Sequence, residues 1–154
     1  MRPGSIYATF GSKEGLFKEA LQYYAESGVN RLSEYTDAYV SPVDALKHFM
    51  RDALQGGETS PSEMCMLVKT ISELTEDNGM LLEEAKRLLG VMEGAFAAVL
   101  LKAQEQGELD SNRDARRMAR FLQMQLIGLR VYARANSDAN IDELIDDVFQ
   151  CLSE

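Results

Sequence analysis

The sequence predicts an all-α protein, one helical bundle without a sheet. Apolar residues recur at three- and four-residue steps in almost every segment, which is the period of a helix face. Ala, Leu, Glu and Met are plentiful, Val and Ile are scarce, and nothing alternates over six positions. At 154 residues, 45% hydrophobic and 27% charged, the chain is the size of one domain and hides enough surface to need no staple.

The same reading excludes several classes. No run approaches the ~20 apolar residues of a membrane span, and residues 1–30 lack the apolar block of a secretion signal. Cys65 and Cys151 give neither a zinc spacing nor a disulfide framework, and the lone His48 excludes most histidine metal sites. The expectation is a cytoplasmic protein with no cofactor, no metal and no membrane contact.

Six helices are expected after a short N-terminal stub. The stub runs from Arg2 to Thr9 and stops at Gly11. Ser12 caps a long helix with Leu16, Phe17, Ala20, Leu21 and Tyr24 on one face, continuing through Leu32 and Tyr35. Ser41-Pro42-Val43-Asp44 supplies a cap, a proline at the first helical position and a carboxylate at N3. That helix turns Leu46, Phe49, Met50, Ala53 and Leu54 inward and ends at Gly56-Gly57. Thr59-Ser60-Pro61-Ser62 reads as a loop, and Met64 to Leu74 as a compact helix. After a break at Asp77-Asn78-Gly79 the longest helix runs from Met80 to Gln106 and stops at Gly107. Gly90 and Gly94 inside it mean either a closely approaching helix or local weakness.

The last two helices bear on assembly. From Ala115 to Ala135, apolar residues point in nearly every direction, closer to two stripes than to the one a helix needs against its own core. From Ile141 to Leu152 the pattern is cleanly amphipathic, with Asp142, Glu143, Asp146 and Asp147 on the polar side. Either the first is a buried central helix covered by the second, or the pair clasps a second copy about a two-fold axis. The second is the expectation, with Leu122, Leu126, Leu129, Tyr132, Ile141, Leu144, Ile145, Val148 and Phe149 at the dimer interface.

The front of the chain reads Arg2-Pro3-Gly4-Ser5-Ile6-Tyr7-Ala8-Thr9-Phe10-Gly11-Ser12-Lys13-Glu14-Gly15-Leu16-Phe17. Physically this is a short helix, a glycine turn, and a capped helix start with Lys13 beside free backbone N–H groups, a set that suits a phosphate. A plain corner between two helices explains it as well on physics alone. The stretch also resembles the end of the DNA-binding motif of TetR-family transcriptional regulators. Ser5-Ile6-Tyr7, Phe10, Gly11-Ser12, Lys13-Glu14 and Leu16-Phe17 stand in that order and spacing. Further on, Gln106-Gly107-Glu108-Leu109 and Gly128-Leu129-Arg130 resemble one broad branch of the family.

The resemblance implies residues 1–11 as the remnant of a helix-turn-helix head, and 12–154 as a connecting helix with an effector-binding, dimerising body. It implies Tyr7, Thr9 and Lys13, with Ser5, at phosphates, and Arg2 and Gly4 at base edges. Met1 falls inside the family's recognition helix, so truncation ahead of this point is expected. Residues 1–24 hold Arg2, Lys13 and Lys18 against Glu14 and Glu19, within a net charge of −9. Tight DNA binding uses ~6–10 phosphate contacts, so the full-length protein is expected to repress at an operator and this fragment to bind weakly.

An effector pocket is expected among His48, Met64, Cys65, Met66, Phe96, Met118, Phe121 and Gln125, with Tyr132 nearby, for an apolar or electrophilic small molecule. Each methionine or aromatic is equally an ordinary core residue, and His48 a pocket-edge helix residue. Gln125 needs a partner, either in the pocket or across the dimer axis. Cys65 is an inert buried thiol, or a sensing one if Lys69 lowers its pKa. An enzyme is not expected, since there is no Glu-x-x-His pair and no Gly-x-Ser-x-Gly elbow. The alternative is a helical dimeric adaptor or small-molecule binder without DNA binding, which the acidic surface fits equally well.

Overall fold

The computed structural model describes residues 13–55 and 79–154, and every described element is a helix. In chain order these are α1 (Lys13–Ala38), α2 (Pro42–Gln55), α3 (Gly79–Glu105), α4 (Ala115–Ala135) and α5 (Ile141–Ser153). All five begin and end within three residues of the sequence expectation. The stub at Arg2 to Thr9, the Ser12 cap and the helix expected at Met64 to Leu74 lie outside the described residues.

The boundaries have local causes. At α2, Ser41 Oγ accepts from the Asp44 N–H at 3.1 Å, one turn after the chain leaves α1, and Pro42 needs no partner for a missing N–H. Asp114 caps α4 by accepting from the Arg117 N–H at 3.0 Å, and Asn140 caps α5 through the Glu143 N–H at 3.3 Å. The end of α3 is a Schellman turn. Gly107 takes φ +81°, its N–H reaches Gln104 O at 3.1 Å, and the Glu108 N–H reaches Ala103 O at 2.8 Å. Leu109 tucks into the core just beyond it. Gln104 then ties the following loop down, its Nε2 donating to Asp110 O at 2.8 Å and Arg113 O at 2.7 Å.

Two apolar clusters among the described residues hold these helices together. The larger joins Leu32 of α1, Leu46, Phe49 and Met50 of α2, Met92, Phe96 and Leu100 of α3, Met118, Leu122 and Leu126 of α4, and Ile145, Val148, Phe149 and Leu152 of α5. The smaller pins the first half of α1 to the first half of α3 through Leu21, Ala25, Ala85 and Leu88. Helix α1 is therefore an arm laid along α3.

Polar contacts fix α4 against α3. Arg116 Nε pairs with Glu93 at 2.9 Å and its guanidinium donates to Gly90 O at 3.1 Å, while Arg120 reaches the same carboxylate at 3.9 Å. A Cβ at Gly94 would lie 3.1 Å from an Arg116 nitrogen, and one at Gly90 would meet nothing within 4 Å. Close approach at Gly94 is thus by a guanidinium and not by a second helix backbone.

Candidate effector cleft and exposed helix face

The described members of the expected effector set differ in burial and in the contacts they make. Phe96 is fully buried and meets Phe49 edge-on at 5.8 Å, so it is core. His48 lies on α2, stacked on Tyr39 at 4.4 Å with its Nδ1 3.3 Å from Arg51. Gln125 is half-buried on α4. Met64, Cys65 and Met66 lie outside the described residues. Among the described members of the expected set, Met118 and Phe121 line a cleft of about 560 Å³, together with Asn112, Arg113, Asp114 and Arg117. This volume is in the range of ~300–1,000 Å³ typical of small-molecule sites.

The cleft has a firm wall and a charged rim. The Schellman turn and Gln104 set the loop that carries Asn112, Arg113 and Asp114. Arg113 donates from one guanidinium nitrogen to Cys151 O at 3.1 Å and to Leu152 O, tying the loop to the end of α5. Asp114 is committed to its capping bond. Of the four arginines at 113, 116, 117 and 120, Arg117 alone has no ion pair or guanidinium hydrogen bond among the described residues. Behind these groups Met118 is buried and Phe121 half-buried, giving an apolar floor.

The amide that the core does bury is Gln123, 6% exposed, with Nε2 donating to Leu89 O at 3.2 Å on α3. Gln125, expected in the pocket or across a dimer axis, is a different position, and Gln123 was not singled out in the sequence. The signal for Gln123 was present in its register, four residues after Ala119 and three before Leu126, both fully buried.

The residues expected at a dimer interface also divide. Leu122, Leu126, Ile145, Val148 and Phe149 are buried within their own chain. In the single chain the amphipathic stripe of α5 packs against α2 and the core. Leu129, Ile141 and Leu144 are half-buried and Tyr132 is 51% exposed. Leu126 is the last buried residue of α4, and none of residues 127–135 is buried. On this half and just before it, Met124 is 61% and Val131 62% exposed. The second apolar stripe is real and faces outward in the single chain.

At the opposite side, α1, α2 and α5 are latched by polar groups. The Tyr35 hydroxyl donates to the Asp52 carboxylate across α1 and α2, and Arg51 pairs with Asp142 at 2.6 Å and Lys47 with Asp146 at 3.4 Å between α2 and α5. Burial, then the bond to Asp52 and its charge, push the Tyr35 hydroxyl up to about 12. Among the described residues no three His, Cys, Asp or Glu side chains gather as metal ligands, and no helix is long and apolar enough to cross a membrane.

An all-helical body with an arm helix, a lined cleft and an outward apolar helix face is the class of architecture found in helical one-component regulators. Residues 42–147, over two thirds of the chain, match the family described as tetracyclin repressor-like, C-terminal domain, and the chain belongs to the TetR family of transcriptional regulators. It is 27% identical over 151 residues to YezE of Bacillus subtilis (strain 168), an uncharacterized HTH-type transcriptional regulator, covering 97% of this chain and 77% of that one. Among solved structures it resembles a cysteine mutant of the TetR family transcriptional regulator CifR, complexed with 26-bp double-strand operator DNA. The TM-score is 0.76 at 25% identity, over 99% of this chain and 79% of that one.

Proposed function

We propose that this chain is the body of a homodimeric repressor, that operator DNA is its macromolecular partner, and that a small molecule relieves its DNA binding. The observation that carries the dimer is the outer half of α4. Its apolar residues are exposed in one chain, and a second copy related by a two-fold axis is the simplest partner that hides them. A dimer holds two DNA-reading heads at fixed separation, ~34–36 Å for half-sites one turn apart, so a small pivot of each arm is enough to lose the match. The arm is α1, which is packed on α3, and α3 carries the Arg116, Arg120 and Gln123 contacts of α4. A ligand beside α4 therefore acts on the element against which the arm rests.

Operator binding by the solved relative supports DNA as partner for this chain. These 154 residues themselves bring few cations to the front of the molecule and hold DNA weakly by this reading. Sedimentation at micromolar concentration tests the assembly, with a dimer expected and a strict monomer overturning it. Electrophoretic retardation of operator DNA at low salt tests the second part: nanomolar retention by these residues sinks the claim of weak binding.

A further inference from the structure

We propose that the cleft at the start of α4 binds an amphipathic organic anion, its acid group on Arg117 and its apolar body along Met118 and Phe121. The argument is one of charge and shape. Among the described lining residues two arginines, Arg113 and Arg117, stand against one carboxylate residue, Asp114, an excess of positive charge on a protein of net charge −9. Arg113 and Asp114 are already held, the first by the terminal carbonyls of α5 and the second by the Arg117 N–H. The guanidinium of Arg117 has no partner among the described residues and offers the paired N–H fork that a carboxylate accepts. Met118 and Phe121 give the opposite requirement, an apolar segment, and the volume of about 560 Å³ admits a chain of moderate length. A neutral apolar molecule leaves Arg117 unmatched, and a cation is repelled by it.

Calling this anion an effector rests on the regulator reading above, but its binding does not. Calorimetric titration with decanoate, 1-decanol and decylammonium, below micelle-forming concentrations, tests it on the intact chain. Decanoate is expected to bind about tenfold tighter than the other two, the size of one charge-assisted contact. Arg117→Gln, an exposed substitution that leaves the core untouched, removes that advantage without changing decanol binding, and Arg117→Lys restores part of it. In a methionine-methyl spectrum, decanoate shifts the Met118 resonance, assigned by its loss in Met118→Leu. Equal binding of the three probes, no decanoate binding, an unaffected Arg117→Gln, or shifts confined to other methionines overturns the proposal. A monomer in sedimentation overturns the repressor reading instead and leaves this site standing.

Discussion

At the scale of single residues, the informative side chains are polar groups placed where apolar ones would also fit. Gln123 spends its amide on Leu89 O, which satisfies a buried donor and fixes the rotation of α4 on α3. Tyr35 does the same between α1 and α2 through Asp52. Its hydroxyl is raised from the usual value near 10 to about 12, so in that interval the folded chain holds a proton that the unfolded chain has lost. The stabilisation is complete below pH 10 and disappears as pH rises through 12. Tyr35→Phe should lower stability by about 1 kcal/mol at neutral pH and remove this part of the alkaline loss, as read from urea midpoints at pH 7 to 12. Neither partner was visible in the sequence, because Asp52 and Leu89 become neighbours of these residues only when different helices meet.

At the scale of elements, the described helices were legible from apolar period throughout and, at α2 and α3, from start and stop signals that agree with it. Asp114 caps α4 and Asn140 caps α5 in the structure, two helices whose limits were read from apolar pattern. Gly107 marks the end of α3 because the Schellman turn requires a positive φ there. A Cβ at Gly107 would meet nothing within 4 Å, so Gly107→Ala costs only the backbone term, about 1–2 kcal/mol, measurable as a lowered denaturation midpoint. The effect should reach the cleft, since the same turn sets the loop of Asn112 to Asp114: ligand affinity is expected to fall in parallel with stability. Among the described residues of the expected pocket, Met118 and Phe121 meet in one cleft. The loop that completes it contains polar residues, which a search for soft, apolar lining passes over.

For the whole molecule, the question is which apolar surface is left when the chain has packed itself. Two-stripe composition in α4 signalled an excess, and Met124, Val131 and Tyr132 are where that excess emerges. Which apolar residues stay exposed was less legible, because both stripes of α4 and the stripe of α5 look alike in sequence. Val131→Glu should weaken self-association on the order of a hundredfold by placing an unpaired carboxylate from each copy in the contact. Sedimentation equilibrium reads that shift directly, and an unchanged helical circular dichroism signal shows that the fold survives. Leu126→Ala makes the contrasting case: it should cost about 2–5 kcal/mol of stability, since Leu126 is fully buried in its own chain.

Periodicity, caps and the front motif are local signals carried by neighbouring residues, so the helices, their limits and the family could be read from residue order alone. Packing between helices chose the rest: which stripe of α4 faces inward, that Gln123 and not Gln125 is the buried amide, and that Arg117 is left over beside an apolar floor. Those outcomes depend on how helices distant in sequence rotate against one another, and a rotation of one residue, about 100° on a helix, exchanges a buried side chain for an exposed one.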